Sequence, residues 1–404
     1  MKIIDGSVCA PKGFLAASAY AGIRKAKKED LTLIVSEVPA IAVGTFTKNQ
    51  VHAWCIAHNR VRLEKLQIDG VICNAGNANC SNGESGKQAD LTMESEIAAS
   101  LKTKLRREIN LFSASTGVIG RQFPIDKVRQ TIPTLIEALT NEVKGGVRAA
   151  ESIMTTDLVS KSCAVEISLN GKPVRIGAIA KGSGMIAPNM ATMLSFITTD
   201  ALVDRVLLQR KLGEIVSRTF NRITVDGDTS TNDMVLLFAN GQSEVSVSES
   251  QQDFWNALEF VCRDLAIKIA RDGEGATKLI TIKIKNPPKD AERIAHTIAE
   301  SPLVKTACFG NDPNWGRIVA AAGRSGVSFD PKNLVVKLAG IEVFRSGEPT
   351  DFNESQVSNA MKTTDLEIEL QFLGEKSPSI EEEMLFWTCD FSYDYVKINA
   401  DYCT

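Results

Sequence analysis

The residues best placed to do chemistry stand near the middle of the 404-residue chain, in Lys181-Gly182-Ser183-Gly184-Met185-Ile186-Ala187-Pro188-Asn189-Met190-Ala191-Thr192-Met193-Leu194. Two glycines and a proline make the first half a poor helix and a poor central strand. The second half turns apolar through Leu194, Phe196 and Ile197, as a loop delivering its chain into a buried strand does. Thr192 stands at the junction. A threonine hydroxyl is a weak nucleophile and needs a base, and the three histidines, His52, His58 and His296, are distant in sequence. An α-amine, with a pKa of roughly 7.7–8.0, takes up a proton near neutrality. Breaking the Ala191–Thr192 bond would create such an amine beside the hydroxyl it must activate. Self-cleavage through an ester is chemically reasonable there, since Ala191 is small and a turn-rich loop holds a carbonyl close to the next hydroxyl. By residue type alone, Thr192 is either an ordinary strand residue or a self-freed nucleophile.

Other segments carry polar residues in turn-like settings. Asn74-Ala75-Gly76-Asn77-Ala78-Asn79 follows a short apolar strand and reads as a site-lining loop or a structural turn. Ser113-Ala114-Ser115-Thr116-Gly117-Val118-Ile119-Gly120 is small and glycine-containing, which lets backbone N–H groups turn toward a ligand. Ser152-Ile153-Met154-Thr155-Thr156-Asp157 offers two adjacent hydroxyls. Glu274 is held between two glycines in Asp272-Gly273-Glu274-Gly275-Ala276-Thr277-Lys278. Lys181 precedes Thr192 closely enough for the loop to fold it back. It is either a solvated loop cation or one that acts on the amine or on an acyl or carboxylate oxygen. Lys181-Gly182-Ser183-Gly184 is not a phosphate loop, whose lysine follows its second glycine. Asp226-Gly227-Asp228-Thr229-Ser230-Thr231-Asn232-Asp233 fails the calcium-loop pattern, with Thr231 at its sixth position and Leu237 at its twelfth, and reads as a polar loop near the site or a helix-capping turn.

Taken together, the 181–194, 74–79, 113–120, 152–157 and 272–278 strings resemble the bifunctional ornithine acetyltransferase/N-acetylglutamate synthase family of arginine biosynthesis. Phe309-Gly310-Asn311-Asp312-Pro313-Asn314-Trp315-Gly316-Arg317 and the C-terminal Asn399 to Thr404 segment match it too, so the likeness covers essentially the whole chain. The resemblance implies cleavage between Ala191 and Thr192 into chains 1–191 and 192–404, intertwined and paired into a heterotetramer. It implies Thr192 as nucleophile and Thr116 and Gly117 as the oxyanion hole. It implies substrate binding by Lys181, Glu274, Asn399, Thr404 and Thr155, with Thr156 the alternative at that position. The reaction implied is ping-pong acetyl transfer from N2-acetylornithine to glutamate, with acetyl-CoA an open second donor and no metal or organic cofactor. An amidohydrolase that passes the acyl group to water, and an uncleaved amino-acid-binding protein, are the competing readings. The 309–317 loop has no assigned role.

The bulk properties agree with a globular enzyme. Hydrophobic residues make up 44% and charged residues 24%, enough for a sizeable core. A net charge of −3 with no long basic run points away from nucleic acid and anionic membrane. No secretory leader or apolar stretch of spanning length is evident, so the expected location is cytoplasmic. Nine cysteines, scattered and without a C-x-x-C, argue against a disulfide framework and against a zinc site.

The elements that must position these residues are mixed. A loop and a short helix are expected over 11–25, and a strand pair at 31–35 and 42–46. Helices are expected at 86–104, 126–150 (with Pro133 near an internal start), 205–222, 252–271, 291–300 and 353–362, and strands at 234–239, 279–284, 334–345 and 365–373. Cys163 to Ile179 predicts a hairpin turning at Asn170-Gly171. The class is α+β or mixed α/β, with layered sheets flanked by helices in the manner of a self-cleaving N-terminal-nucleophile transferase, rather than a doubly wound sheet.

Overall fold

Alternation along single strands explains the layering. Phe14 and Ala16 join one apolar cluster, while Leu15, Ala17 and Ala19 join another. Ile34, Val71, Cys73, Phe112 and Ala114 enter the first cluster, and Leu33, Val35, Ile72 and Leu111 the second. Successive strand side chains point to opposite faces, so these strands form one sheet that is apolar on both sides.

The computed structural model describes residues 1–65, 67–187, 193–373 and 382–401. Their contacts divide the chain into a first unit, Met1–Asn221 with Thr229–Ile269, and a second, Arg222–Asp228 with the residues from Ala270 on. In the first unit a four-stranded sheet runs in the order Phe14–Ala19, Leu31–Ser36, Gly70–Asn77, Leu111–Val118. Its last two strands are parallel, and the helix Gly83–Leu105 makes the crossover that such a pair requires. A six-stranded sheet runs Lys2–Ile3, Lys161–Leu169, Lys172–Lys181, Leu194–Thr199, Met234–Ala239, Ile41–Phe46. Ile179, Leu194, Phe196, Met234, Leu236 and Phe238 of this sheet meet Phe14, Val71 and Phe112 of the other in one core. Outside the smaller sheet lie the helices Gly83–Leu105 and Ile125–Glu137, which contribute Met93, Ile97, Leu101, Val128 and Leu135.

Outside the larger sheet lie Arg205–Arg218 and Gln252–Arg271. The Gln209 amide accepts from the Gly44 N–H and donates to the Gly44 carbonyl, both at 3.1 Å, so a helix side chain covers the sheet's edge strand. Lys268 Nζ donates to the Ser162 carbonyl at 2.8 Å. The layers are helix, sheet, sheet, helix.

The second unit has one six-stranded sheet, ordered Glu348–Pro349, Ile341–Arg345, Leu334–Leu338, Asp365–Phe372, Leu279–Lys285, Glu383–Cys389. Ile280, Ile282, Ile368 and Leu370 pack with Ile294, Ile298, Val304 and Ile318 from its helices. No helix among the described residues is long and apolar enough to cross a membrane.

The hairpin forms as expected: Asn170 (φ 52°) and Gly171 (φ 76°) take the two left-handed positions of its turn. Several expectations are corrected. Residues 14–19 are a strand rather than a helix, because a run of small residues fits between two apolar layers and tertiary burial overrides local preference. The strands at 31–36 and 41–46 do not pair; they lie in different sheets, the first beside Phe14–Ala19 and the second beside Met234–Ala239. Pro133 sits inside the helix Ile125–Glu137, and a separate helix, Val143–Ser152, follows. The segments 74–79 and 113–120 are strand up to Asn77 and Val118. Phe309-Gly310 closes one helix and Trp315-Gly316-Arg317 opens the next. The tail is helical over Tyr393–Asp401.

Phe112 is fully buried between the two sheets, its ring 6.1 Å from that of Phe238. Phe112→Ala should lower stability by about 3–5 kcal/mol, read as a lower urea midpoint with unchanged slope.

Candidate active site

Lys181 ends the strand Lys172–Lys181 and is 8% exposed. A lysine stays buried only if its ammonium finds acceptors. Its Nζ donates to Thr155 Oγ1 at 2.7 Å and lies 3.4 Å from Thr116 Oγ1. Thr116 comes from the facing sheet, and Thr155 from the turn after the helix Val143–Ser152. The three elements converge only in the fold. Of the two adjacent threonines, Thr155 is the one whose hydroxyl takes the Lys181 bond.

Asp157 supports this turn from behind. Its Oδ1 accepts from Lys161 Nζ at 2.8 Å and the Gly182 N–H at 2.7 Å, and its Oδ2 accepts from the Thr155 N–H at 3.0 Å. Burial alone would raise this carboxyl, but the charges of Lys181 and Lys161 outweigh it and bring Asp157 down to about 2. Arg24 holds the same turn from the other side. Its guanidinium donates to the Ser152 carbonyl at 2.5 Å and the Met154 carbonyl at 3.2 Å, and also to the Glu29 carbonyl.

Thr116 and Gly117 sit where the parallel ladder of Gly70–Asn77 and Leu111–Val118 loses register. Gly117 has φ +125°, and a Cβ there would stand 2.4 Å from the Gly76 carbonyl carbon, so no larger residue fits. Asn232 anchors this strand end, donating to the Ser115 carbonyl at 2.8 Å and the Ala78 carbonyl at 2.6 Å. Asn74 Oδ1 accepts from Ser115 Oγ at 2.6 Å. An ammonium and a hydroxyl beside a glycine-shaped strand end are donors suited to an acyl oxygen that gains charge.

Ala191 and Thr192 lie outside the described residues. Beyond them, the Met193 carbonyl accepts from the Met234 N–H at 3.0 Å, and Leu194 is in register with Lys181 on one side and Met234 on the other. The chain therefore enters the sheet beside Lys181. Cys73 also lies near Lys181 and Arg24, but burial pushes its thiol up to about 12, which makes it an inert packing residue.

Glu274 and Asn399 come together in the second unit. Asn399 Nδ2 donates to Glu274 Oε2 at 2.9 Å. Gly275, at φ +69°, brings the turn against the tail, where a Cβ would stand 2.3 Å from the Tyr395 nitrogen. Asp390 accepts from the N–H groups of Thr277 at 2.8 Å and Lys278 at 2.9 Å, which locks the turn to the strand end. Lys278 in turn donates to Asn311 Oδ1 at 2.5 Å, and Asn314 caps the helix Trp315–Gly323. The 309–317 string thus orders a helix corner and holds Lys278. Thr404 lies outside the described residues.

Arg24, Asp157, Asn232 and Asp390 were given no role from the sequence. Asp157 had a signal, a carboxylate four residues before Lys161. Asn232 stands in the 226–233 string, read as a polar loop near the site or a capping turn, while Arg24 and Asp390 join distant segments and had none. Among the described residues no group of three or more His, Cys, Asp or Glu side chains could hold a metal ion.

The ArgJ family model matches residues 15–404. Among curated relatives, "Arginine biosynthesis bifunctional protein ArgJ" of Synechocystis sp. is 44% identical over 417 residues, covering 100% of this chain and 99% of the relative. Proteins of the same name from a Synechococcus strain and from Bacillus anthracis are 46% and 44% identical, each covering at least 99% of this chain and 98% of the relative. Among solved structures, the arginine biosynthesis bifunctional protein of Bacillus halodurans is 42% identical with a TM-score of 0.49, covering 52% of this chain and 100% of that one. The ornithine acetyltransferase of Mycobacterium tuberculosis, complexed with ornithine, is 34% identical with a TM-score of 0.43, covering 47% and 99%.

Asp157→Asn should destabilise the protein by about 3–5 kcal/mol, because it removes the negative charge that the buried Lys161 and Lys181 face and breaks a buried ion pair. In the unsubstituted protein the depressed carboxyl contributes stability above the ordinary aspartate pKa. As the pH falls from about 4 toward about 2, about 2 kcal/mol of it should be lost. Urea midpoints measured down that range should show the slope, and Asp157→Asn should lack it.

Proposed function

The chain belongs to the ArgJ family, and on that premise we propose that it is an acetyl-transferring enzyme of arginine biosynthesis that moves an acetyl group from N2-acetylornithine to glutamate. The observation that carries this reading is the convergence of the buried Lys181 and Thr116 with the half-buried Thr155, joined by hydrogen bonds, at the point where the chain resumes after Thr192.

In this reading the chain cleaves itself between Ala191 and Thr192. The freed Thr192 amine takes the proton of its own hydroxyl as Oγ attacks the acetyl carbonyl. The Thr116 hydroxyl and the Gly117 N–H receive the oxyanion. The tetrahedral adduct collapses, the C–N bond breaks, and the amine returns the proton to the departing ornithine nitrogen. The amine of glutamate then attacks acetyl-Thr192 by the same path in reverse, giving N-acetylglutamate and the free enzyme.

Lys181 and Thr155 hold the amino-acid substrate, together with Glu274, Asn399, Thr192 and Thr404. Lys181 suits an α-carboxylate, because the nearby Asp157 already has Lys161 as counter-charge. Glu274 suits an ammonium group of ornithine or glutamate. Every donor and acceptor is an α-amino acid derivative, so one set of contacts serves both half-reactions. The relatives' name is bifunctional, and acetyl-CoA is the natural second donor to glutamate. The reading places the enzyme in the cytoplasm as a heterotetramer of two 1–191 and two 192–404 chains.

Intact-mass spectrometry should show two fragments that join at Ala191/Thr192. Thr192→Ala should remain a single chain and lose transfer, and cleavage in that variant would refute the assignment. Incubation with acetylornithine and glutamate should yield N-acetylglutamate; free acetate instead would mark a hydrolase. Thr116→Val should cost about a hundred- to a thousandfold in kcat, the loss that goes with one oxyanion donor.

A further inference from the structure

The proposed reaction leaves the 226–233 string without a part. Its last residue, Asp233, is 3% exposed and lies just before the strand Met234–Ala239. The surrounding backbone is fixed: the Asp233 carbonyl accepts from the Thr47 N–H at 2.9 Å, and the next N–H, that of Met234, donates to the Met193 carbonyl at 3.0 Å. Met193 directly follows Thr192 in the chain. The neighbouring Asn232 holds the strand end that carries Thr116.

The side chain itself is unusual. Oδ2 is buried with no hydrogen-bond partner, and among the described residues no cation comes within ion-pair distance of the carboxyl. The groups that act on it are few. Ser230 supplies hydrogen bonds from its own loop, and Lys181, two strands away in the same sheet, acts through its field alone. The hydrogen bonds of Lys181 to the described residues go to the Thr155 and Thr116 hydroxyls. From the helix Trp54–Arg62, Arg60 donates to the Thr47 carbonyl. The Asp157–Lys161 pair stands beyond Lys181. An ionised carboxylate buried without a bonded cation is expensive, and such a group takes up a proton instead.

We propose that Asp233 is carried as an uncharged carboxylic acid at neutral pH, so that Lys181 keeps its full positive charge for the carboxylate of the substrate. Asp157 is paired with Lys161, and an uncharged Asp233 leaves the positive charge of Lys181 unopposed from its own side. Asp233 is thus a positioning residue that acts through Lys181, and this part of the inference rests on the transferase reading above. Burial raises the Asp233 carboxyl well above the ordinary range despite the opposing hydrogen bonds of Ser230 and the field of Lys181. Raising the pH far enough ionises Asp233 and cancels Lys181.

The test is the KM for glutamate against pH in the unsubstituted enzyme and in Asp233→Asn. The substitution keeps the shape and removes the ionisation, while the titrations of substrate and Thr192 amine remain common to both. The unsubstituted KM should climb with pH until it exceeds that of the variant's profile by about tenfold or more, the effect of one opposite charge close by in a buried site. Parallel profiles would overturn the proposal. Two further readouts do not need turnover. The infrared difference between the two proteins at neutral pH should contain the carbonyl stretch of a protonated carboxyl, and a carboxylate band in its place would overturn the proposal.

The second readout is stability. The folded chain holds a proton that the unfolded chain releases near the ordinary aspartate pKa, so stability should fall as pH rises from there toward the folded value. Asp233→Asn should lack that slope, and equal slopes would overturn the proposal. A cleaved preparation that shows no transfer would count against the transferase reading instead. Glutamate affinity by calorimetry then replaces KM in the same comparison.

Discussion

The site depends on keeping one ammonium group charged between two apolar sheets. Lys181 sits at the end of a central strand, where few water molecules can solvate it. It is made tolerable by hydroxyl acceptors from two other elements and by a carboxylate, Asp157, that is itself tied to Lys161 and to two backbone N–H groups. Buried charges persist only when geometry and hydrogen bonding are both good. The same bonds that make the charge tolerable also fix Thr155 and Thr116 relative to each other. Stability and the geometry of this cluster are therefore one property here, with the ammonium and both hydroxyls held in fixed relation by the same bonds.

Backbone strain is placed where the ladder ends. The bulge at Gly76/Asn77 and the positive φ of Gly117 release the strand from regular pairing at the point where a reactive oxygen would need donors. Asn232 and Asn74 then hold the released end with side-chain bonds to Ser115. The second unit shows the same design on its own terms. Asp390 pins the 274–278 turn, Ser392 Oγ bonds the Gly275 carbonyl at 2.5 Å, and Asn399 reaches Glu274 from a helix with little burial of its own. Lys305, fully buried, donates to Thr388 Oγ1 at 2.8 Å and lies over the Phe391 ring, which steadies the strand end that leads into this helix.

Much of the architecture was legible along the chain. Asn170-Gly171 can turn a hairpin only one way, and the apolar periodicity of 86–104 and 252–271 suits helices and nothing else. The failures share one cause. The run Phe14–Ala19 has no strong local preference, and its strand state comes from burial on both faces by elements far away in sequence. The two strands that looked like neighbours at 31–36 and 41–46 were separated because the chain crosses from one sheet to the other between them. Pairing partners are chosen by the global stacking of apolar faces, which a local window does not contain.

The sequence by itself determined which residues are candidates for chemistry: a threonine before an apolar strand, a lysine upstream, a threonine-glycine pair and a glutamate between glycines. It also determined family membership, because long strings of specific residues recur along the whole chain. Only the tertiary structure decided which of these act on one another. Lys181 reaches Thr155 rather than Thr156, Asp157 becomes the carboxylate behind them, and Arg24, Asn232 and Asp233 join a site to which no spacing rule assigned them. The reason is physical. Residue type sets what chemistry a side chain can do, whereas burial and the distance between segments far apart in sequence set its charge and its partners, and those exist only once the layers have closed.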